Sequence, residues 1–122
     1  MTMQGLDDAQ SSIGEFQFHE FQVLRELRLS VIPKERSSII NVEMCLETVS
    51  RQPPARLNLR FYEVSSVQIR DLSGETHIQG FDIVDLSDRQ LENIYWQVFD
   101  FEDNVINFYA KDAEITSASI IR

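Results

Sequence analysis

The residues best able to do chemistry in this chain of 122 residues are few. It has one cysteine, Cys45, and two histidines, His19 and His77. Cys45 lies two residues from Glu43 and two from Glu47, and nearby carboxylates disfavour the thiolate that a nucleophilic cysteine needs. His77 has no serine or cysteine at a recognisable motif spacing. We therefore expect no catalytic residue and no enzymatic activity, with both histidines in structural or surface roles.

Acidic side chains are the second possible source of chemistry. Asp100, Glu102, Asp103 and Asn104 supply several oxygen ligands close together, which is what calcium prefers. The string lacks the glycine and the distal glutamate of an EF-hand loop, and turns rich in Asp and Asn are common. The histidines and the cysteine are too far apart for a zinc motif, and no phosphate-binding loop or dinucleotide fingerprint is present. We expect no metal and no cofactor, although calcium at this turn stays open.

The overall charge narrows the range of partners. The formal net charge is −9, so the chain repels nucleic acid and anionic membranes and attracts basic proteins. A single cysteine excludes an intramolecular disulfide. Residues 1–12 contain no basic and apolar stretch of the secretory type, and no apolar run is long enough to span a bilayer. We expect a cytoplasmic protein that binds neither nucleic acid nor membrane.

The negative charge is concentrated in the second half of the chain. Residues 1–70 have nine acidic and eight basic residues and a net charge of −1. Residues 71–122 have eleven acidic and three basic residues and a net charge of −8. Because a surface of one sign attracts partners of the opposite sign, we expect a partner-binding surface in this second half.

Alternation of apolar and polar residues predicts the elements that position these side chains. It is clearest in residues 40–47, 57–62 and 94–99, and its phase shifts near residues 19–21. Turn signals such as Ser73–Gly74 recur between the alternating runs, and Gly80 is predicted to be a bulge or a point of close approach. We predict an all-β, mainly antiparallel fold, a sandwich or partly closed barrel of about seven to nine short strands. At most one short helix is expected, capped by Ser87. Residues 1–12 are predicted to be a flexible lead-in and residues 13–122 a single β domain.

Residues 82–103 combine acidic and aromatic side chains. In the predicted strand, Trp96 points to one side and Tyr95, Phe99 and Phe101 point to the other, so both faces are apolar. This pattern is typical of a central strand covered on both sides or of a strand partly exposed at a partner site. Aromatic side chains ringed by acids suit the capture of a basic protein. The residues predicted to contact this partner are Asp85, Asp88, Glu92, Tyr95, Asp100, Glu102 and Asp103.

The same part of the chain resembles a known group of proteins. Three stretches carry the resemblance: FDIVDLS from Phe81, IYWQVFDFED from Ile94 and INFYAKDAEI from Ile106. They are similar to the C-terminal half of small, acidic, uncharacterised bacterial proteins, some of which resemble immunity proteins of polymorphic toxin systems. The resemblance implies a cytosolic binding protein that neutralises a toxin, such as a basic nuclease, by charge complementarity. It carries no catalytic residues.

Two other functions remain open alongside this leading hypothesis. One is a small-molecule or carbohydrate binding module, which an apolar cavity lined by Trp96, Tyr62 or Tyr109 would favour and a flat surface without a pocket would count against. The other is a structural subunit that completes a sheet by edge pairing, which includes the case of a homo-oligomer.

Overall fold

The computed structural model describes residues 2–70, 76–102 and 104–122, which form two antiparallel sheets. The strands are β1 (Phe21–Pro33), β2 (Ser38–Thr48), β3 (Ala55–Tyr62), β4 (Ser65–Ile69), β5 (Thr76–His77), β6 (Phe81–Asp85), β7 (Trp96–Asp100), β8 (Ile106–Ala110) and β9 (Asp112–Ile120). The large sheet has the order β5-β1-β2-β3-β9, and the small sheet has the order β4-β8-β7-β6. The predicted all-β, sandwich-like fold is confirmed.

The core lies between the two sheets, because each strand turns alternate side chains inward. In β3, four side chains at alternate positions are buried, and in β7 and β8 the same alternation is seen. Phe61 of the large sheet meets Phe108 of the small sheet edge to face, with ring centroids 5.2 Å apart. Both side chains are fully buried, so this contact lies at the centre of the interface between the sheets.

The helix of the structure lies where the sequence predicts a lead-in. Leu6–Ile13 forms helix α1, which packs on β9 with Ala9 and Ile13 buried. Gly5 precedes it with φ +86°, and a Cβ there would lie 2.1 Å from the carbonyl oxygen of Ile115. Only glycine fits this approach. The predicted flexibility of residues 1–12 remains a prediction.

At Ser87, where a capped helix is expected, the chain forms only a short 3₁₀ turn, Ser87–Arg89. The N-cap of this turn is Leu86, and it makes no side-chain capping hydrogen bond. Instead, the Ser87 N–H donates to Oδ1 of Asp85 at 2.8 Å. A second 3₁₀ turn, Phe18–Glu20, accounts for the phase shift that the sequence shows before β1. The turn predicted at Ser73–Gly74 lies outside the described residues. No helix among the described residues has the length and apolar character needed to cross a membrane.

Two residues fix the loop that joins β7 to β8. Asp100 is fully buried, and its Oδ1 accepts a hydrogen bond of 2.6 Å from the Ile106 N–H across the turn. Gly80, predicted to be a bulge or a point of close approach, has φ +76°, and a Cβ there would lie 2.9 Å from the ring of Phe101. The Phe101 N–H donates to the Gly80 carbonyl at 3.2 Å. The β7–β8 loop is therefore fixed by the Asp100–Ile106 hydrogen bond within it and by the Phe101–Gly80 hydrogen bond to the segment before β6.

Replacing Asp100 with alanine is expected to destabilise the fold by about 1–3 kcal/mol, because it leaves the buried Ile106 N–H without its acceptor. Urea denaturation of the variant measures this loss. The matched control is Glu102→Ala, which removes an exposed carboxylate two residues away and should change stability by less than about 0.5 kcal/mol. Equal losses in the two variants would contradict a structural role for Asp100.

Replacing Gly80 with alanine should cost about 1–3 kcal/mol, since a non-glycine residue with positive φ is strained and the added methyl meets the Phe101 ring. The same substitution in a Phe101→Ala background should cost less, because the ring is gone and only the backbone strain remains. Urea midpoints of the four proteins measure both values. An unchanged cost in the second background would show that the ring moves aside freely.

Candidate functional site

Strand β7 lies between β6 and β8 in the small sheet, so it is a central strand. Trp96, Val98 and Asp100 point inward and are buried, whereas Gln97 and Phe99 point outward and are half-buried. Of the two arrangements expected for this strand, the structure therefore has elements of both. Strand β7 is central, as the first arrangement requires, and its inner face is covered by the core. Its outer face is only half-buried, as the second arrangement requires.

The outward side chains of the small sheet form two cross-strand rows. Asp82, Phe99 and Asn107 oppose one another in the first row, and Val84, Gln97 and Tyr109 oppose one another in the second. The Gln97 amide donates to Oδ1 of Asn107 at 3.4 Å and joins the rows. We call these six residues the small-sheet face.

Phe101 extends the small-sheet face at its edge. Its side chain is 63% exposed, and its ring lies 6.3 Å from that of Phe99 in a tilted arrangement. A large aromatic side chain that remains so exposed contributes little to folding. Aromatic residues in such positions are typical anchors of protein–protein contacts.

The structure places the predicted contact residues at both ends of the small sheet. Asp85, Asp88, Glu92 and Tyr95 lie where β6 ends and β7 begins, and Glu102 lies beyond the other end of β7. Because a five-residue strand is about 17 Å long, these acids flank the small-sheet face and form no single cluster. Asp88, Glu92 and Glu102 are exposed, and Asp85 and Tyr95 are half-buried.

Two predicted residues stand apart from this arrangement. Asp100 lies inside the domain because it shares the inward parity of Trp96 and Val98, so it has no surface to offer a partner. We therefore leave it out of the contact surface. Asp103 lies outside the described residues.

A charged surface on the other side of the molecule was missed by the sequence analysis. On the outer face of the large sheet, Arg28, Glu43, Arg60 and Glu114 follow one another across four strands. Arg60 lies 2.7 Å from Glu43 and 3.9 Å from Glu114, and Arg28 lies 3.7 Å from Glu43. The Tyr62 hydroxyl donates to Glu114. The charges alternate in sign, so this row largely cancels itself.

A second group on the same face is centred on Glu47. This carboxylate is buried and lies 2.7 Å from Arg25 and 2.6 Å from Arg56. Burial alone raises the pKa of Glu47, but the hydrogen bonds from Arg25 and Arg56 outweigh burial and hold the pKa below its usual value. Glu47 therefore remains charged and holds β1, β2 and β3 together.

Cys45 lies between these two groups, beside a shallow depression of about 260 Å³. Burial is the main reason that the pKa of the Cys45 thiol is raised, and the charges of Glu47 and Glu26 raise it further against the opposing effect of Arg56. The thiol is thus protonated at neutral pH, as the sequence predicts, although burial is more important than the neighbouring carboxylates.

A depression lies beside two of the three aromatic residues, Tyr62 and Trp96, whose cavity would favour the small-molecule hypothesis. Its volume is about 480 Å³, but it is otherwise lined mainly by polar residues: Thr2, Gln4, Asp112, Ala113 and Glu114. This lining differs from the apolar cavity that would favour such a module. Among the described residues, no group of three or more His, Cys, Asp or Glu side chains is arranged to hold a metal ion.

Comparison with known proteins gives one match. The family model described as Immunity protein PIM8 matches residues 8–116. No curated protein and no solved structure matches the chain. The matched region extends well beyond the three C-terminal stretches that carry the resemblance in sequence, since it runs from within α1 to within β9 and includes both sheets. The chain therefore belongs to the immunity protein family PIM8.

Proposed function

We propose that this immunity-type protein binds and neutralises a toxin domain that has a basic surface, and that it does so through the small-sheet face and the acids that flank it. The action is one of binding, with no chemistry on the toxin. The observation that carries the proposal is an open sheet face with aromatic side chains and with acidic residues at both of its ends, in a chain of the immunity family.

The aromatic side chains supply the contact area in this proposal. Phe99, Tyr109 and the exposed Phe101 present apolar surface that binding removes from water. The polar groups between them, Gln97 and Asn107, are joined by one hydrogen bond, so part of their hydrogen-bonding capacity is already used within the face when water is excluded. This combination supports a protein partner better than a small ligand, since the face is a sheet surface without an enclosed cavity.

The acidic residues attract a partner at long range, and they favour a partner whose surface is positively charged. Residues 81–110 contain seven acidic residues and Arg89 as the one basic residue. Exposed charges such as Asp88, Glu92 and Glu102 raise the rate at which a basic partner arrives, and they repel acidic or nucleic-acid surfaces. In this account, a toxin that acts on nucleic acid presents to the immunity protein the basic surface that it otherwise presents to its substrate.

Neutralising Asp88, Glu92 and Glu102 together, as Asp88→Asn, Glu92→Gln and Glu102→Gln, should lower the affinity for the toxin about tenfold or more and flatten its dependence on salt. Surface plasmon resonance with the cognate basic toxin domain, at several salt concentrations, measures both the affinity and its salt dependence. Most of the loss should appear in the association rate.

The control is Asp8→Asn, Glu15→Gln and Glu35→Gln, which removes three exposed charges from other parts of the chain and changes the net charge equally. Its affinity should stay within about twofold of the original protein. Wild-type binding that is indifferent to salt, or equal effects of the two triple variants, would overturn the proposed contact surface.

Replacing Phe101 with alanine tests the aromatic part of the proposal separately. Because the side chain is exposed in the free protein and covered in the complex, we expect about tenfold weaker toxin binding with an unchanged dependence on salt. The difference should appear mainly in the dissociation rate. Val49→Ala, at an exposed apolar side chain of the β2–β3 connection, is the matched control. Binding of the Phe101 variant at full strength would place the contact elsewhere.

A further inference from the structure

A shallow depression lies beside the end of the small sheet at which β7 begins. Its volume is about 330 Å³, and three parts of the chain meet there: the start of β2, the connection from β3 to β4, and the residues just before β7. We call it the Ile94 depression. Its apolar and charged lining residues are Ile39, Ile40, Glu63, Val64, Glu92 and Ile94.

The depression exists because β2 extends beyond the strand that pairs with it. Pairing of β2 with β3 runs from Glu47 to Val42, and β3 ends at Tyr62. The chain then turns away, and the Val64 N–H donates to the carbonyl of Ile40 at 2.8 Å. Before Ile40, none of the described strands pairs with this side of β2, so one wall of the depression is the open start of a strand.

The opposite wall is formed by Ile94, and the backbone beside it is fixed. The Tyr95 N–H donates to the carbonyl of Ala110 at 3.1 Å, and the Tyr95 carbonyl accepts the Leu86 N–H at 2.7 Å. The residue after Ile94 is therefore tied both to the end of β8 and to the segment after β6. A site whose walls are already in place loses little conformational entropy when it binds.

The floor of the depression is apolar. Val64 is buried, whereas Ile39, Ile40 and Ile94 are half-buried, so the three isoleucine side chains leave part of their surface in contact with water. Because removal of apolar surface from water is favourable, this floor favours an occupant that carries methylene or methyl groups.

The rim has two carboxylates that differ in their partners. Glu63 lies 3.2 Å from the ammonium group of Lys111, so its charge is largely balanced. Glu92 is exposed and forms no ion pair with the basic residues of the part of the chain that the structure describes. No basic side chain lines the depression, so Glu92 attracts an occupant that has a positive charge.

We propose that the Ile94 depression holds one long basic side chain of the toxin, an arginine or a lysine. Its methylene groups lie on Ile40 and Ile94, and its charged end reaches the carboxylate of Glu92. Arginine and lysine bury their stems on apolar surface while their charged ends stay in water, and an open depression with an acidic rim allows both. This inference rests on the proposed function, because it assigns one contact of the same toxin surface.

The depression is continuous with the small-sheet face. Ser65, which lines it, lies opposite Tyr109 in the pairing of β4 with β8, and Tyr109 belongs to that face. A partner seated on the small-sheet face therefore reaches the depression at its edge. Its open shape favours a side chain that a partner presents over a free small molecule, which is usually enclosed on most of its surface.

Filling the depression tests whether it is occupied. Ser38 is exposed at its rim, and Ser38→Phe should lower the affinity for the cognate basic toxin domain about tenfold in surface plasmon resonance. The matched control is Ser119→Phe, at an exposed serine of β9 outside the depression, which should stay within about twofold of the wild type. Ile94→Ala removes part of the floor instead and should weaken binding about fivefold. Thermal unfolding shows that each variant keeps its fold.

A double-mutant cycle identifies the occupant. Glu92→Gln alone should weaken toxin binding about fivefold. Each arginine and lysine of the toxin domain is then replaced by alanine, and its binding is measured against the wild type and against Glu92→Gln. For one toxin residue, the loss should be about three- to fivefold smaller against Glu92→Gln, because the two side chains share one contact. The identity of that residue distinguishes arginine from lysine.

Two results would contradict this inference. One is a Ser38→Phe variant that binds the toxin as well as Ser119→Phe does. The other is a scan in which no basic toxin residue is coupled to Glu92, which would assign the depression to an apolar side chain or to no contact at all.

Failure of the proposed small-sheet surface gives a different pattern. In that case Phe101→Ala would leave toxin affinity unchanged, while the Ser38 and Glu92 variants would still weaken it. If only the depression is wrong, Phe101→Ala weakens binding and Ser38→Phe does not. A chain that does not bind the toxin domain would contradict both proposals.

Discussion

The arrangement of this protein depends on a difference in length between its two sheets. The small sheet has strands of five residues, about 17 Å long, whereas β1 and β2 have 13 and 11 residues and β1 spans about 43 Å. Burial of apolar surface between the sheets drives the folding of the domain, but four short strands cannot cover the whole inner face of the larger sheet. The core therefore forms around Phe61 and Phe108, and the distal part of the β1–β2 hairpin extends beyond it.

The outer faces of the two sheets differ in the kind of side chain that they carry. In the large sheet, alternation turns polar residues outward, and there Glu43 and Glu47 form ion pairs with arginines of neighbouring strands. The small sheet turns Phe99 and Tyr109 outward instead, and Asp82 is the one charged residue among their cross-strand neighbours. One outer face thus contributes to the integrity of its sheet, and the other is left with side chains suited to intermolecular contact.

The sequence predicts the strands well because period-two alternation is a local property. It also predicts the close approach at Gly80 and the protonated state of Cys45. The parity of Trp96 and Val98 already implied that Asp100 points inward, but the acidic composition of the segment outweighed that signal in the choice of contact residues. The rows across strands, such as Arg28 to Glu114, depend on which distant segments pair, and alternation within each strand does not show that β3 pairs with β9. Helix α1 was missed because two turns give too short a periodic pattern.

The row of alternating arginines and glutamates has a consequence for how this molecule moves toward another. Because Arg28, Glu43, Arg60 and Glu114 neutralise one another, the outer face of the large sheet contributes almost no field at a distance. Asp88, Glu92 and Glu102 are exposed at the ends of the small sheet, in a segment (residues 81–110) that has seven acidic residues and one basic residue, so this side carries more negative charge than the outer face of the large sheet. In the field of a positively charged body such a molecule rotates before contact, and a larger share of its collisions begins in one orientation.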